Sequence, residues 1–339
     1  MRQFSDALQF WYASNKRDLP WRHTQEAYLI WLSEVILQQT RVQQGLSYFH
    51  KFAQNFPTIQ DMAAAKEQEI LNLWQGLGYY SRARNMHKAA KFIIDNHKGK
   101  FPKSFDELLT LPGVGNYTAA AIASFAFDLP HAVLDGNVFR VLSRYFNFGE
   151  YINTLTGQKH FQKLANELLD KKNSATHNQA MMELGAMICT PKNPKCDLCP
   201  LMDSCEGKAK NTWSDLPRKK GKIKVRERHL NYFVCLENDR FLLNKRGEKD
   251  IWANMYEFPL LEGEQVDTAH LGEIRHIKSI GHKLTHQNLK VHFYVLPSEK
   301  LKRFFPLAEW VDLDELKDHP LPRVIERFME EEFQLNTKH

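Results

Sequence analysis

The chain lacks any apolar run long enough to cross a membrane. Its longest weakly polar stretch, Tyr117 to Phe127, falls far short of the roughly 20 residues a helical span requires. It also lacks the marks of a secretory leader, because the opening MRQFSDALQFWY carries an acid at position 6 and no small-residue cleavage site. No internal repeat or low-complexity tract interrupts it. Cysteine is scarce, five in 339 residues, yet four of the five crowd into one stretch. These absences point away from a membrane protein and toward a cytoplasmic one. What is present is a 43% hydrophobic fraction with seven tryptophans, enough for real cores, in a chain long enough for two domains. The net charge of +6 suits a polyanionic partner, though many unrelated enzymes are as basic.

From residue 1 to about 210 the apolar spacing is helical. Phe4, Leu8, Trp11 and Tyr12 recur on one face, and Tyr28, Trp31, Leu32, Val35 and Ile36 do so more strongly. Further helices are expected over Glu67–Trp74, Arg82–Asn96, Phe105–Thr110, Tyr117–Phe127, Val138–Phe146, Gly157–Lys171 and His177–Cys189, with turn residues between them. Residues 211–228 carry seven basic side chains, Arg218 to Arg228, and few apolar ones, which reads as a solvated linker. Beyond it His229–Leu236, Arg240–Lys245, Tyr256–Leu261 and Leu289–Leu296 read as strands, and Leu321–Phe333 as a final helix. The expectation is an all-helical domain over 1–210, a basic linker over 211–228 and a smaller α+β domain over 229–339.

Cys189, Cys196, Cys199 and Cys205 are spaced C-x6-C-x2-C-x5-C, with Cys235 well apart. In a reducing cytosol such a quartet more often holds a metal than forms disulfides. Structural zinc sites pair their ligands two to four residues apart, and only Cys196 and Cys199 are so paired. Spacing alone leaves zinc and a [4Fe–4S] cluster both open.

Three further features carry chemistry. Leu111-Pro112-Gly113-Val114-Gly115 precedes an Ala-rich helix, and two glycines there expose backbone N–H groups where the helix dipole favours an anion. An ordinary αα-hairpin would use the same glycines for its turn. Glu34 sits in the middle of a segment, 28–37, that is apolar almost all round. A carboxyl group in such surroundings keeps its proton near neutral pH and suits a general acid, although a buried Glu can also pair with an Arg for structure. Asp135, in Asp135-Gly136-Asn137 before an apolar-periodic helix, reads from sequence as an N-cap.

Together the strings RDLPWR (17–22), WLSEVILQQT (31–40), WQGLGYYSRARN (74–85), LPGVGNYTA (111–119), VLDGNVFRVL (133–142) and HNQAMMELGAMICT (177–190), with the cysteine spacing, resemble the helix-hairpin-helix DNA glycosylases of the endonuclease III superfamily. Within it the chain is most similar to the MutY-type adenine DNA glycosylases. The resemblance covers most of residues 1–210. It implies a [4Fe–4S] cluster on Cys189, Cys196, Cys199 and Cys205, shaping a DNA-contacting loop over 189–205. It implies a hairpin over 105–127 whose Gly113 and Gly115 hold a phosphate. It places Glu34 at the acid that protonates the departing adenine, and Asp135, with Asn137 beside it, at the carboxylate that stabilises positive charge on the deoxyribose. Tyr117 stands where strand-cleaving members of the superfamily carry a Schiff-base lysine; a phenol cannot form an imine, and no lysine lies in Asn116–Phe127, so a monofunctional glycosylase is expected. Arg17, Leu19, Trp21, Arg22 and Glu183 match the family's adenine pocket, and Gln39 and Tyr79 match residues that fill or wedge the opened base stack.

Residues 229–339 resemble the MutT-related, Nudix-like C-terminal domain of the same enzymes. Tyr256-Glu257-Phe258-Pro259 matches the stretch before the Nudix box, but the box is absent; Gly263 to His270 holds no acidic cluster for Mg²⁺. The implied role is recognition of 8-oxoguanine opposite the target adenine, by Gly281-His282-Lys283-Leu284-Thr285-His286. The family usually has Phe-Ser-His where this chain has Leu284, Thr285 and His286; Thr285 keeps a hydroxyl, and Leu284 loses an aromatic face.

The reading is therefore a multi-domain repair enzyme: an all-α helix-hairpin-helix domain with an iron–sulfur loop, followed by an α+β Nudix-like domain. It is expected to act as a monomer on double-stranded DNA holding A·8-oxoguanine or A·G mispairs, in the bacterial cytoplasm at the nucleoid and away from membranes. Its rivals are an endonuclease III-like glycosylase and lyase, a non-catalytic DNA-binding protein with a structural metal, and a Nudix hydrolase with a helical appendage.

Overall fold

In the computed structural model residues 2–221, 224–264 and 274–335 are described. The elements in order are α1 (Arg2–Asn15), α2 (Ala27–Leu37), α3 (Val42–Asn55), α4 (Ile59–Ala64), α5 (Glu67–Trp74), α6 (Ser81–His97), α7 (Phe105–Leu109), α8 (Asn116–Phe127), α9 (Gly136–Tyr145), α10 (Leu155–Leu168), α11 (Ser174–Met187) and α12 (Glu206–Ala209). There follow β1 (Arg226–Val234), β2 (Leu236–Glu237), β3 (Arg240–Lys245), β4 (Tyr256–Glu257), β5 (Leu260–Glu262), β6 (Arg275–Lys283), β7 (Gln287–Val295), α13 (Ser298–Phe304), β8 (Glu309–Asp312) and α14 (Arg323–Phe333). Backbone contacts divide these into two compact units, Met1–Ala63 with Lys88–Gly221, and Ala64–His87 with Lys222–His339. Residues 64–87, which the sequence pattern groups with the helices, thus cluster with the sheet.

The first unit is built on two helices apolar on nearly every side. Tyr28 and Ile30–Ile36 of α2 are buried, as are Thr118–Phe125 of α8. Helices with no polar face must lie inside, and the small side chains of α8 (five alanines from Ala119 to Ala126) let α2 pack against it. Each large aliphatic so buried contributes about 1.5–3 kcal/mol. A second core, including Leu8, Val138, Leu142, Phe161, Met181 and Leu184, joins α1, α9, α10 and α11. Local sequence sets the helix starts. Ser104 and Glu107 form a capping box at α7, Thr154 caps α10, and Asp135 caps α9 through the Val138 N–H. The first part of the basic stretch is pinned rather than loose. Ile152 N–H donates to the Arg218 carbonyl, and Asn153 exchanges hydrogen bonds with the Lys220 backbone.

In the second unit a mixed sheet runs β5–β1–β7–β6, with β1 parallel to β7 and the outer pairs antiparallel. Leu230, Tyr232, Val291 and Phe293 share one fully covered face, where Phe293 stacks on Phe328 of α14 with ring centroids 3.8 Å apart. Phe233, Leu296 and Leu301 belong to a separate cluster reaching α13. The nine-residue β6 was not expected from the sequence. It is an edge strand of alternating charge and histidine with one buried residue, Ile280, so it carries no apolar alternation to read. A two-arginine network ties the loop after β3 down. Arg228 pairs with Asp250 and Glu262, and Arg246 with Asp250 and Glu257, while the Tyr232 hydroxyl donates to Glu257. Positions 265–270, part of the stretch read as lacking Nudix-box acids, lie outside the described residues. The acid before the box, Glu257, is buried and held by Arg246 and Tyr232.

Candidate active site

Glu34 is 5% exposed, two residues past the middle of α2. The Tyr117 hydroxyl, on the first turn of α8, donates to Glu34 Oε2 at 2.5 Å. Burial pushes the Glu34 carboxyl up to about 7; Asp135's nearby charge adds to the rise, and the Tyr117 hydrogen bond and Arg22 oppose it. Burial also raises Asp135, but three groups counter it. Val138 N–H donates to Oδ1 and Asn137 Nδ2 to Oδ2, each at 2.7 Å, and Arg140 lies close. Asp135 is the N-cap expected from sequence and, at the same time, a member of the Glu34–Tyr117 neighbourhood. The result is one carboxyl whose burial brings it to titrate at about 7 and a second held by donors.

The segment leading to Asp135 is fixed by a residue the sequence did not flag. Asn178 of α11 accepts from the Val133 N–H and donates to the His131 carbonyl and to Ser124 Oγ of α8. A further chain of bonds leads from Asp135 toward the cysteines. Arg140 Nη2 donates to Asn137 Oδ1 (2.8 Å) and to the Gly185 carbonyl (2.7 Å), and its Nε donates to the Cys189 carbonyl (2.6 Å). Gly185 allows this approach, since a Cβ there would stand 2.6 Å from Asn137 Cβ.

Glu34 opens on a small pocket lined by Trp21, Arg22, Ile30, Ser33, Phe125, Gln179 and Met182 as well as Glu34 itself. Of the five residues matched to a base pocket, Trp21 and Arg22 line it, while Arg17, Leu19 and Glu183 do not. Glu183 is fully buried and saturated: Arg17 donates through N, Nε and Nη2, and Arg22 through both terminal nitrogens. Those arginines hold its carboxyl down at about 2 against the cost of burial. Glu183 therefore braces Arg22, and Gln179, one helical turn earlier on α11, occupies the cavity wall. Sequence reading missed Gln179, Ser33 and Met182 because each looks like an ordinary helix residue.

The hairpin follows its expected form. Gly113 has φ +76°, a conformation that favours glycine, whereas Gly115 has ordinary backbone angles. Nothing lies within 4 Å of a Cβ built at Gly115, so the fold itself does not require glycine there. Gln39 and Tyr79 both adopt left-handed backbone conformations, φ +56° and +48°, costly for residues with a Cβ. Within the second unit the Tyr79 and Thr285 hydroxyls are hydrogen-bonded to each other. Arg82 lies over the Tyr79 and Trp74 rings. Leu284, Thr285 and His286 form the tip between β6 and β7 and line an open pocket together with Tyr79, Tyr80, Ile251 and Trp252.

The four clustered cysteines line one pocket, with Ile188, Pro194, Met202, Trp213 and the basic Arg144 and Lys208 completing its wall. Among the described residues no three His, Cys, Asp or Glu side chains converge tightly enough to hold a single ion. A common apolar cavity with four thiols on its wall fits a polynuclear cluster better than one tetrahedral zinc. Burial pushes the Cys199 thiol up to about 11 and raises Cys196 and Cys205, so thiolates form there only with a cationic centre to bind. Arg144 ties the loop in place, donating to the carbonyls of Thr190, Pro191 and Trp213, with Nη1 3.5 Å from Cys189 Sγ.

Comparison with known proteins agrees with this geometry. The profile of the HhH-GPD superfamily of base excision DNA repair proteins matches residues 32–169. That of the iron–sulfur binding domain of endonuclease III matches 189–205, and a NUDIX domain matches 231–331. An adenine DNA glycosylase of Buchnera aphidicola subsp. Schizaphis graminum is 34% identical over 96% of this chain and 98% of its own length. The adenine DNA glycosylase of Mus musculus is 40% identical over 68% of this chain and 47% of its own. Among solved structures, a thermostable thymine-DNA glycosylase is 31% identical, with a TM-score of 0.57, covering 61% of this chain and 95% of that one. The cysteine loop is thus the seat of a [4Fe–4S] cluster, and the chain belongs to the MutY-type adenine DNA glycosylases, base excision repair hydrolases that cleave the N-glycosidic bond of adenine.

Proposed function

We propose that the enzyme removes adenine mispaired with 8-oxoguanine, and with guanine, without cutting the strand. The observation that carries the reading is a carboxyl group at position 34 with its pKa near 7, on the wall of a cavity and beside Asp135. Glu34 donates its proton to a ring nitrogen of the extruded adenine. The C1′–N9 bond then breaks with its electron pair leaving on adenine. Asp135, ionised and oriented by Asn137 and the Val138 N–H, stabilises the oxocarbenium ion until water adds at C1′ to give an abasic sugar. Arg17 and Leu19 support the Trp21–Arg22 wall, with Glu183 as the counter-ion. Tyr117 donates to Glu34 instead of attacking the sugar, as a lysine at that place would.

The open space at Gly115 and the left-handed Gly113 suit a backbone clamp on DNA phosphate. The cluster, when bound, fixes the 189–205 loop, whose Lys192 and Lys195 then meet the DNA backbone. Gln39 and Tyr79 enter the opened stack, and Thr285 with His286 reads the 8-oxoguanine left behind. The enzyme acts as a monomer, in the bacterial cytoplasm at the nucleoid.

One gel tests this. Duplexes with adenine opposite 8-oxoguanine, guanine, cytosine or thymine are incubated with enzyme and resolved with and without alkali. Cleavage is expected only after alkali, for the first two duplexes, and not with Glu34→Gln. Bands without alkali overturn the monofunctional mechanism, equal cleavage of all four overturns lesion recognition, and full activity of Glu34→Gln overturns the general acid.

A further inference from the structure

We propose that Tyr12 is a positioning residue for base recognition, its hydroxyl fixing the Gln179 amide so that a hydrogen-bond donor faces the purine. The inference rests on the reading of the Glu34 cavity as the base pocket. Gln179 is the one uncharged amide on that wall, half-buried on α11. The Tyr12 hydroxyl, on α1, donates to Gln179 Oε1 at 2.6 Å. A glutamine amide has an acceptor end and a donor end of nearly equal shape, so an unanchored one can present either. With its oxygen engaged by the phenol, the amide offers its NH₂.

Adenine's ring nitrogens are acceptors. An amide oxygen turned toward one of them would leave two lone pairs face to face, whereas the NH₂ supplies a bond. Tyr12 is itself well placed to hold this arrangement. It is 5% exposed, α1 packs directly on α11, and the Arg22 guanidinium lies over its ring at 5.6 Å. Burial raises its pKa, so the phenol keeps the proton it donates. Tyr12 does not line the cavity; its effect reaches the base through Gln179. The same ring supports Arg22, which Tyr12→Phe preserves, so that substitution removes the hydroxyl alone.

The test is a double-mutant cycle of Tyr12→Phe and Gln179→Ala, read as single-turnover adenine release from an A·8-oxoguanine duplex. Melting temperature, duplex affinity and the pH midpoint of the rate are recorded in parallel. Tyr12→Phe is expected to slow release about three- to tenfold, the worth of one hydrogen bond. Its melting temperature and pH midpoint should match the wild type, and adding it to Gln179→Ala should cause no further loss. A wild-type rate for Tyr12→Phe overturns the proposal, as does an undiminished loss on the Gln179→Ala background or a shifted pH midpoint. Glu34→Gln run alongside separates the two levels: activity surviving there sinks the pocket reading, whereas an additive cycle with Glu34→Gln dead sinks only the role of Tyr12.

Discussion

The helical unit and the sheet unit place their chemistry in opposite ways. In the first, Glu34 and Glu183 are buried and Asp135 is half-buried, each carboxyl group with named donors, and the proposed chemistry turns on which of them keeps a proton. In the second, Thr285 and His286 sit exposed at a hairpin tip, while the buried charges are neutralised within the fold, Arg228 by Asp250 and Glu262, and Arg246 by Asp250 and the buried Glu257. The general acid proposed here needs a raised pKa, and burial is the largest cause of the rise at Glu34. Recognition of a base needs hydrogen-bonding groups that DNA can reach, and those must stay at the surface. Substitutions in the two units should therefore differ in kind, with rate lost in one and discrimination in the other.

After the loss of activity expected of Glu34→Gln, Asp135→Asn should show the next largest effect. It keeps the cap on α9 but removes the charge that is proposed to face the sugar, and the single-turnover rate should fall about 10²- to 10³-fold with duplex affinity retained. A rate within twofold of wild type would break the assignment of Asp135. Cys199→Ser should come next: the brown absorbance near 400 nm should be lost or weakened, and with it the ordered loop and duplex affinity. An unchanged spectrum would mean that the cluster is held elsewhere. The smallest effect belongs to the sheet unit. Thr285→Val removes the hydroxyl bonded to Tyr79 and should lower the preference for 8-oxoguanine over guanine about two- to tenfold, leaving the rate on A·G unchanged. Competition between the two duplexes in one tube would detect it. A loss of rate on both substrates alike would blur the contrast between the units.

Much of this was legible in the chain. The α2 pattern gave both the buried helix and the anomalous acid within it, because an apolar surround and a lone carboxyl can be read from spacing alone. Asp135 as an N-cap was equally readable, but its proximity to Glu34 was not, since their hundred-residue separation carries no spatial information. Position along the wall of the Glu34 pocket was the least legible. Gln179 and Glu183 lie four apart on one helix, and only the two arginines that saturate Glu183 reveal that Gln179 faces the cavity. The strand β6 escaped notice because an edge strand with polar side chains on both faces has no period-two signal. Residues 67–74 and 82–87 read as helix and are helix, yet no feature of their composition tells which unit the 64–87 segment joins.

The claim beneath all of this is that Glu34 is protonated when adenine arrives. The direct measurement is the pH dependence of adenine release under subsaturating single-turnover conditions, which reports the free enzyme. Glu34 carries its proton below its pKa of about 7 and loses it above, so the rate should fall toward tenfold per unit as pH rises beyond about 7. A rate that stays level, or climbs, from pH 6 to pH 9 would contradict the account.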